Sequence, residues 1–110
     1  MELIERIKIL QNQFRSKNFD YVINGCKKIL KKTPNNVYVL NLCGMAFQNK
    51  RQIKTSISFF SKAIAIDNKN LPAMNNLANS YKALNNIDLA EELYLKINKI
   101  DPNYIQAIYN

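Results

Sequence analysis

Residues 71–104 read LPAMNNLANSYKALNNIDLAEELYLKINKIDPNY, and the segment directly before them, 37–70, reads VYVLNLCGMAFQNKRQIKTSISFFSKAIAIDNKN. Aligned with each other, the two segments share the identical pairs Asn41 and Asn75, Ile53 and Ile87, Ile66 and Ile100, and Asp67 and Asp101. The offset from position 37 to position 71 is therefore one repeat length. A fixed period of this size is typical of stacked helical hairpins, in which each repeat buries its apolar face against its neighbours. Such stacks usually hold a ligand rather than change it chemically, so the period predicts a class of function.

The spacing of apolar residues within 71–104 predicts two amphipathic helices. The first stripe follows the i, i+3, i+4, i+7 pattern and comprises Met74, Leu77, Ala78 and Tyr81. The second stripe comprises Ile87, Ala90, Leu93, Tyr94 and Ile97. Between them lies the pair Asn85-Asn86, which suits a tight turn because asparagine tolerates left-handed backbone geometry. Each copy is therefore predicted to be a helical hairpin.

Proline and asparagine mark the boundaries between copies, at 33–36, 67–70 and 101–103. Asn36 and Asn70 are expected to cap the following helices, and Pro72 lies in a first turn, where its missing N–H costs little. A weaker copy precedes these, with Arg6 and Gln13 at apolar positions, as expected for a terminal repeat whose outer side faces water. We predict one domain over residues 1–110, with repeats at 3–36, 37–70 and 71–104 and a partial fourth at 105–110.

The order of large and small residues in the copies resembles the tetratricopeptide repeat. In the middle copy the pattern is Leu40, Gly44, Phe47, Ser56, Phe60 and Ala63, and in the next it is Met74, Ala78, Tyr81, Ala90, Tyr94, Ile97 and Pro102. The resemblance implies an all-α right-handed superhelix of stacked antiparallel helical hairpins. Gly44 and Ala78 would let the two helices of a hairpin approach closely beside Phe60 and Tyr94. The first copy lacks the family's glycine.

In this family the first helices of successive repeats line a concave groove, and the same helical face in this chain gives a candidate binding site. We predict a peptide-binding groove formed by Tyr38, Asn41, Met45, Gln48, Asn49, Asn75, Asn76, Asn79 and Lys82. The first copy would add Ile7, Lys8, Gln11, Phe14 and Arg15, and the partial copy would add Gln106, Tyr109 and Asn110. Each asparagine amide pairs a donor with an acceptor, so a row of them suits the backbone of an extended peptide. That the asparagines merely reflect composition remains an open alternative.

Two ligand-binding patterns of the family can be compared with the groove positions. One subgroup grips the C-terminal carboxylate of chaperones with lysines, arginine and asparagines. This chain has at those positions Ile7, Gln11, Leu42, Pro72 and Asn76. The carboxylate clamp is therefore absent. Asn76 and Asn110 are similar to the start of the asparagine ladder in O-linked N-acetylglucosamine transferases, although Leu42 interrupts it. A substrate-recognition arm at the N-terminus of a larger sulfotransferase or glycosyltransferase is therefore the alternative to a free-standing protein- or peptide-binding module.

Positive charge is concentrated in the first part of the chain. Residues 1–69 hold 13 Lys or Arg and 4 acids, whereas residues 70–110 hold 3 and 4. Lys27, Lys28, Lys31 and Lys32 would share an outward helix face, which could contact phosphates. Most aromatic residues fall at predicted core positions instead of exposed stacking positions, so nucleic-acid binding is disfavoured. An AT-rich genome would also raise Lys, Asn and Ile together, and this explanation of the charge stays open.

Composition argues against catalysis and against a cofactor or metal. The chain has no histidine and no Gly-rich phosphate loop, and its 8 acids are scattered. Cys26 and Cys43 lie on core stripes and are expected to be buried thiols in a reducing interior. No secretory signal or membrane span is evident, which predicts a cytoplasmic protein. Ile105 and Ile108 would leave an apolar end uncovered, so we expect either a longer protein or end-to-end self-association.

Overall fold

The computed structural model describes residues 1–104, and this part of the chain contains six α-helices and no strand. The helices are α1 Leu3–Arg15, α2 Phe19–Lys32, α3 Val37–Asn49, α4 Ile53–Ile66, α5 Leu71–Ala83 and α6 Ile87–Ile100. They pair into a first hairpin (α1 and α2), a second (α3 and α4) and a third (α5 and α6), and α3 and α5 also pack on the preceding α2 and α4. This packing produces a stack of hairpins, each shielding the apolar side of the next.

The first helices of the second and third hairpins begin with the same kind of asparagine cap. The Asn36 side chain accepts a hydrogen bond from the Val39 N–H at 3.0 Å, and Asn70 accepts one from the Ala73 N–H at 2.9 Å. Both predicted caps are therefore confirmed, and each satisfies an amide that the helix itself leaves free.

Each hairpin turn contains one residue with left-handed backbone geometry. These residues are Lys17, Arg51 and Asn85, with φ of 63°, 67° and 61°. The sequence predicted such geometry at the Asn85-Asn86 pair, and Asn85 confirms it. Left-handed geometry was not expected at Lys17 and Arg51, because there the Cβ atom lies too close to the following carbonyl oxygen. The turn geometry is therefore imposed by helix packing at all three sites.

The core of the second hairpin depends on contact between a glycine and an aromatic ring. Phe60 is fully buried, and a Cβ built on Gly44 would lie 2.5 Å from its Cε1 atom. No side chain fits at Gly44 without displacing the ring, so glycine is what allows α3 and α4 to approach there. This confirms the expected role of Gly44 beside Phe60.

The first hairpin achieves the same close approach with the partners exchanged. Leu10 in α1 stands one repeat length before Gly44, and the glycine lies instead at Gly25 in α2. A Cβ on Gly25 would lie 2.5 Å from the Leu10 Cδ2 atom. Arg6 and Gln13, expected on an outer side that faces water, are half-buried, and Arg6 lines a cavity on that outer face. The reason is that both lie on the stripe of α1 that faces α2, just as the equivalent stripe of α3 faces α4.

Candidate ligand-binding groove

A small cavity of about 190 Å³ lies between α1 and α3, on the side where the groove was predicted. It is lined by Gln11, Phe14, Arg15, Tyr38, Asn41, Leu42 and Met45. The structure thus brings together three of the nine residues first predicted for the groove, Tyr38, Asn41 and Met45, with three of the set expected from the first copy. The sequence placed Leu42 at a clamp position of the groove, where it interrupts the asparagine row, and the structure adds it to the lining of the cavity.

Side-chain hydrogen bonds connect the first helices of the three hairpins across this wall. The Gln11 amide donates to the Tyr38 hydroxyl and so links α1 to α3. The Asn76 amide donates to Asn41 Oδ1 at 3.1 Å and links α5 to α3. The other end of the Asn41 amide points toward Met45, with 3.9 Å between Nδ2 and Sδ. These contacts hold the lining side chains in fixed orientations before any ligand arrives, which reduces the entropy lost on binding.

Several of the predicted amide side chains already form hydrogen bonds within the protein. Gln48 Nε2 donates to the Asn76 carbonyl at 3.2 Å and to Ser80 Oγ at 2.9 Å. The exposed Asn49 donates to the Met45 carbonyl at 2.8 Å. The predicted positions Gln48 and Asn49 therefore contribute more to the wall of the groove than to free hydrogen-bonding capacity.

Asn75 and Asn79 differ from the exposed amides that the sequence suggested. Asn75 is 8% exposed, and its Oδ1 atom is buried without a hydrogen-bond partner among residues 1–104. Asn79 is half-buried, and its Oδ1 accepts a hydrogen bond from the Tyr94 hydroxyl at 2.6 Å.

Lys82 is exposed near the end of α5. Gln106, Tyr109 and Asn110, also expected in the groove, lie outside the described residues.

The groove helices are poor in negative charge. α3 and α5 contain no acidic residue, and Lys82 is the one cation in these two helices. In the cavity between α1 and α3, Arg15 contributes a guanidinium whose Nη1 donates to Asn12 Oδ1 at 2.8 Å. Such a wall accepts neutral or acidic segments without charge repulsion.

The other groups considered from the sequence lie away from the groove. Lys27, Lys28, Lys31 and Lys32 are all exposed on α2. The Lys27 ammonium lies 5.4 Å from the centre of the Phe47 ring, so it covers apolar surface as well as facing water.

The two thiols are buried, as predicted. Cys26 and Cys43 are fully buried and unpaired by a disulfide. The hydrogen bond to Cys43, together with burial, raises the pKa of the Cys26 thiol far above its usual range. Across residues 1–104, no group of three or more His, Cys, Asp or Glu is arranged to hold a metal ion, and no helix has the length and apolar character of a membrane span.

Comparison with known sequences shows where this architecture occurs. Residues 50–109 match the family model described as tetratricopeptide repeat. Uncharacterized protein ycf37 of Porphyra purpurea is 33% identical over 75 residues, which cover 64% of this chain and 43% of that protein. Tetratricopeptide repeat protein 37 of Xenopus laevis is 29% identical over 87 residues, which cover 79% of this chain and 6% of that protein. The chain thus spans less than half the length of these relatives.

Solved structures match over nearly the full chain. The first tetratricopeptide domain of human RPAP3 superposes with a TM-score of 0.89 at 17% identity, over 96% of this chain and 84% of that one. The first such domain of Spaghetti (RPAP3), bound to the HSP90 peptide SRMEEVD, gives the same values. At this level of identity the likeness concerns the fold, and it confirms the predicted all-α superhelix of stacked antiparallel hairpins.

Proposed function

Because the chain belongs to the tetratricopeptide repeat family, we propose that it is a protein-interaction module that binds an extended peptide segment in its concave groove. The cavity between α1 and α3 is the observation that carries the proposal, since it combines an apolar floor with oriented polar groups. Pockets of this composition suit one apolar side chain with hydrogen bonds at its edge. Composition also favours binding over catalysis, because the chain has no histidine and only 8 acidic residues.

The lining residues suggest how a peptide would be held. Phe14, Leu42 and Met45 would surround an apolar side chain, and methionine adapts its shape to different occupants. The Tyr38 hydroxyl accepts from Gln11 and still has its own O–H to donate, and the Asn41 Nδ2 makes only a long contact to Met45 Sδ. These two donors stand beside the cavity, where they would pair with carbonyls of the peptide backbone. Since backbone groups are common to all sequences, the apolar side chain would supply the selectivity.

The site would differ from one that binds a C-terminal carboxylate. The related RPAP3 domain was solved with an HSP90 peptide ending in EEVD. In the present chain the positions expected of a carboxylate clamp hold Ile7, Gln11, Leu42, Pro72 and Asn76, none of them cationic. We therefore propose an internal segment as the ligand, recognised through an apolar side chain instead of its terminus.

A peptide-library screen against the purified full chain tests the proposal. The groove variant carries Tyr38→Ala and Asn41→Ala. Its matched control carries Thr55→Ala and Ser58→Ala, because these residues are exposed on α4, away from the groove, and have the same spacing along their helix. Selected peptides should bind the groove variant at least about tenfold more weakly and the control within about twofold of wild type. Equal affinity for both variants would refute the groove assignment.

A further inference from the structure

A second cavity lies away from the groove, on the outer face of the first hairpin. Its volume is about 430 Å³. Its lining combines apolar residues with a polar and basic rim and comprises Met1, Arg6, Ile9, Leu10, Tyr21, Asn24, Gly25, Lys28 and Ile29. This volume lies within the range that accepts a bulky side chain or a small ligand.

Gly25 explains why the cavity exists. The residue one repeat length later is Phe59, whose ring stacks on Phe47 with 5.4 Å between ring centres. In the second hairpin this ring therefore fills the space beside the two helices. Gly25 has no side chain to fill the same space, and the atom nearest to where its Cβ would lie is Leu10 Cδ2, at 2.5 Å. An occupant from outside would have to supply the missing apolar group.

The second hairpin shows which kind of element covers this face. There, α2 packs against α3, and Leu30 of α2 contacts the apolar cluster that contains Leu40 and Ala63. The residues one repeat length before Leu40 and Ala63 are Arg6 and Ile29, and both line the cavity. A helix with a leucine-sized side chain therefore fits this face in the same way as α2 fits the next one.

The charges around the cavity indicate which kind of helix would bind there. Arg6 and Lys28 both line the cavity, and none of its described lining residues is acidic. An occupant with carboxylates beside its apolar side chain would pair with these cations at the rim.

A second copy of this chain is a poor occupant of the cavity. In a head-to-tail stack its α6 would take the place of a preceding second helix. That helix has Asn98 where α2 has Leu30, and Glu91 where α2 has Ile23. An amide and a carboxylate at these positions would leave the apolar floor unfilled and would themselves lose water.

We propose that the outer face of the first hairpin binds an acidic amphipathic helix of another protein, which inserts a leucine-sized side chain into the cavity left by Gly25. The site is separate from the concave groove, so this proposal does not depend on the proposed peptide binding there. Both sites together would let one chain bridge two partners.

The test uses a synthetic helix built on α2 itself, because α2 occupies the equivalent face of the second hairpin. The probe has the sequence of residues 19–32 with Cys26→Ala and with Lys27, Lys28, Lys31 and Lys32 each exchanged for Glu. It also carries Asn24→Lys, so that a lactam bridge between positions 20 and 24, which are both exposed in α2, keeps the isolated peptide helical. Two control peptides retain the lysines or carry Leu30→Ala in the acidic background.

Binding of the labelled probe to the full chain is measured by fluorescence anisotropy. The variant Arg6→Glu with Lys28→Glu should bind the acidic probe at least about tenfold more weakly than wild type, and high salt should weaken wild-type binding. Lys54→Glu with Lys62→Glu is the matched control, since both lysines are exposed, the charge change is equal and Lys62 is the repeat equivalent of Lys28. It should stay within about twofold of wild type. Both control peptides should bind more weakly than the probe.

Circular dichroism melting verifies that each variant is folded, and Lys28→Glu alone provides the same comparison should the double exchange unfold the hairpin. Three results would overturn the proposal. They are equal binding by the two charge variants, binding of either control peptide as tight as that of the probe, and loss of probe binding in the Tyr38→Ala, Asn41→Ala variant. Sedimentation in which wild type self-associates and the Arg6→Glu, Lys28→Glu variant does not would also overturn it, in favour of a second copy.

Discussion

The Leu10 side chain packs against Gly25 in the reverse sense to Phe60 against Gly44. In the second hairpin the glycine lies on the first helix and the large residue on the second, whereas in the first hairpin these roles are exchanged. A Cβ atom added to either glycine would make an equally short contact with its partner, 2.5 Å in both cases. The close approach of the paired helices is therefore retained although the residue pattern is reversed.

The two glycines should differ in how much an added methyl group destabilises the fold. Gly44→Ala presses on the fully buried Phe60 ring, which should cost about 2 kcal/mol of unfolding free energy even after the helix propensity of alanine is counted. Gly25→Ala presses on a terminal methyl of Leu10 that borders a cavity, so the propensity gain of about 1 kcal/mol should offset most of the strain. Urea unfolding of both variants measures the difference. Equal destabilisation would show that Leu10 is as constrained as Phe60.

A buried hydroxyl relay should couple the second and third hairpins. Gln48 Nε2 donates to Ser80 Oγ at 2.9 Å, Ser80 and Ser56 hydroxyls are 3.0 Å apart, and Ser56 Oγ donates to the Ile53 carbonyl at 2.6 Å. Ser80→Ala interrupts the relay and should lower the unfolding free energy by about 1–2 kcal/mol.

The double variant Ser56→Ala with Ser80→Ala should cost less than the sum of the single variants, because the partner left unpaired by one exchange is removed by the other. The junction between the first two hairpins has Val22 and Ala46 at the corresponding positions and shows that apolar residues fit there. Strictly additive losses in urea unfolding would mean that the two serines act independently.

The left-handed turn positions should respond to glycine according to the residue replaced. Arg51→Gly should stabilise the fold by about 0.5–1 kcal/mol, because glycine adopts a φ of 67° without the steric cost that arginine carries. Asn85→Gly should have a smaller effect, since asparagine already tolerates this geometry. Thermal melting of the two variants gives the comparison, and a larger gain at Asn85 would contradict the steric argument.

The paired thiols should be protected from modification in the native state. Cys26 and Cys43 are fully buried, so a bulky reagent cannot reach either sulfur in the folded protein. The hydrogen bond to Cys43 together with burial also raises the pKa of the Cys26 thiol, so its reactive thiolate is scarce. An aromatic disulfide reagent should label neither thiol until the protein unfolds and should label both in denaturant. A Ser61→Cys variant, exposed on α4, supplies the positive control. Rapid labelling of the native wild type would reveal local opening between α2 and α3.

The fold could be predicted from the sequence because repetition multiplies weak local signals. The repeat period, the caps at Asn36 and Asn70 and the small residue at Gly44 each specify the same hairpin, and the structure has all of them. Gly25 was not recognised as the partner of Leu10, since the family pattern places glycine at one fixed position. Packing requires a complementary pair, and either helix can supply the small member.

The candidate site was predicted less completely, for a physical reason. Helical periodicity identifies the face on which a side chain lies, but it does not reveal which side chains bond to one another. Asn79 accepts from Tyr94, and Gln48 reaches Ser80, across helices that the pattern treats separately. Asn75 has the expected position on α5 but is buried, which depends on the depth of packing.

The most direct test of the central claim is to map amide chemical-shift changes in the nitrogen-labelled full chain during titration with a peptide from the library screen. If the concave groove binds the peptide, the largest changes will fall on α1 and α3 around Gln11, Tyr38, Asn41 and Met45. The amides of α2 and α4 around Lys28 and Lys62 will change little. Changes confined to the second helices, with Tyr38 and Asn41 unaffected, would contradict the account.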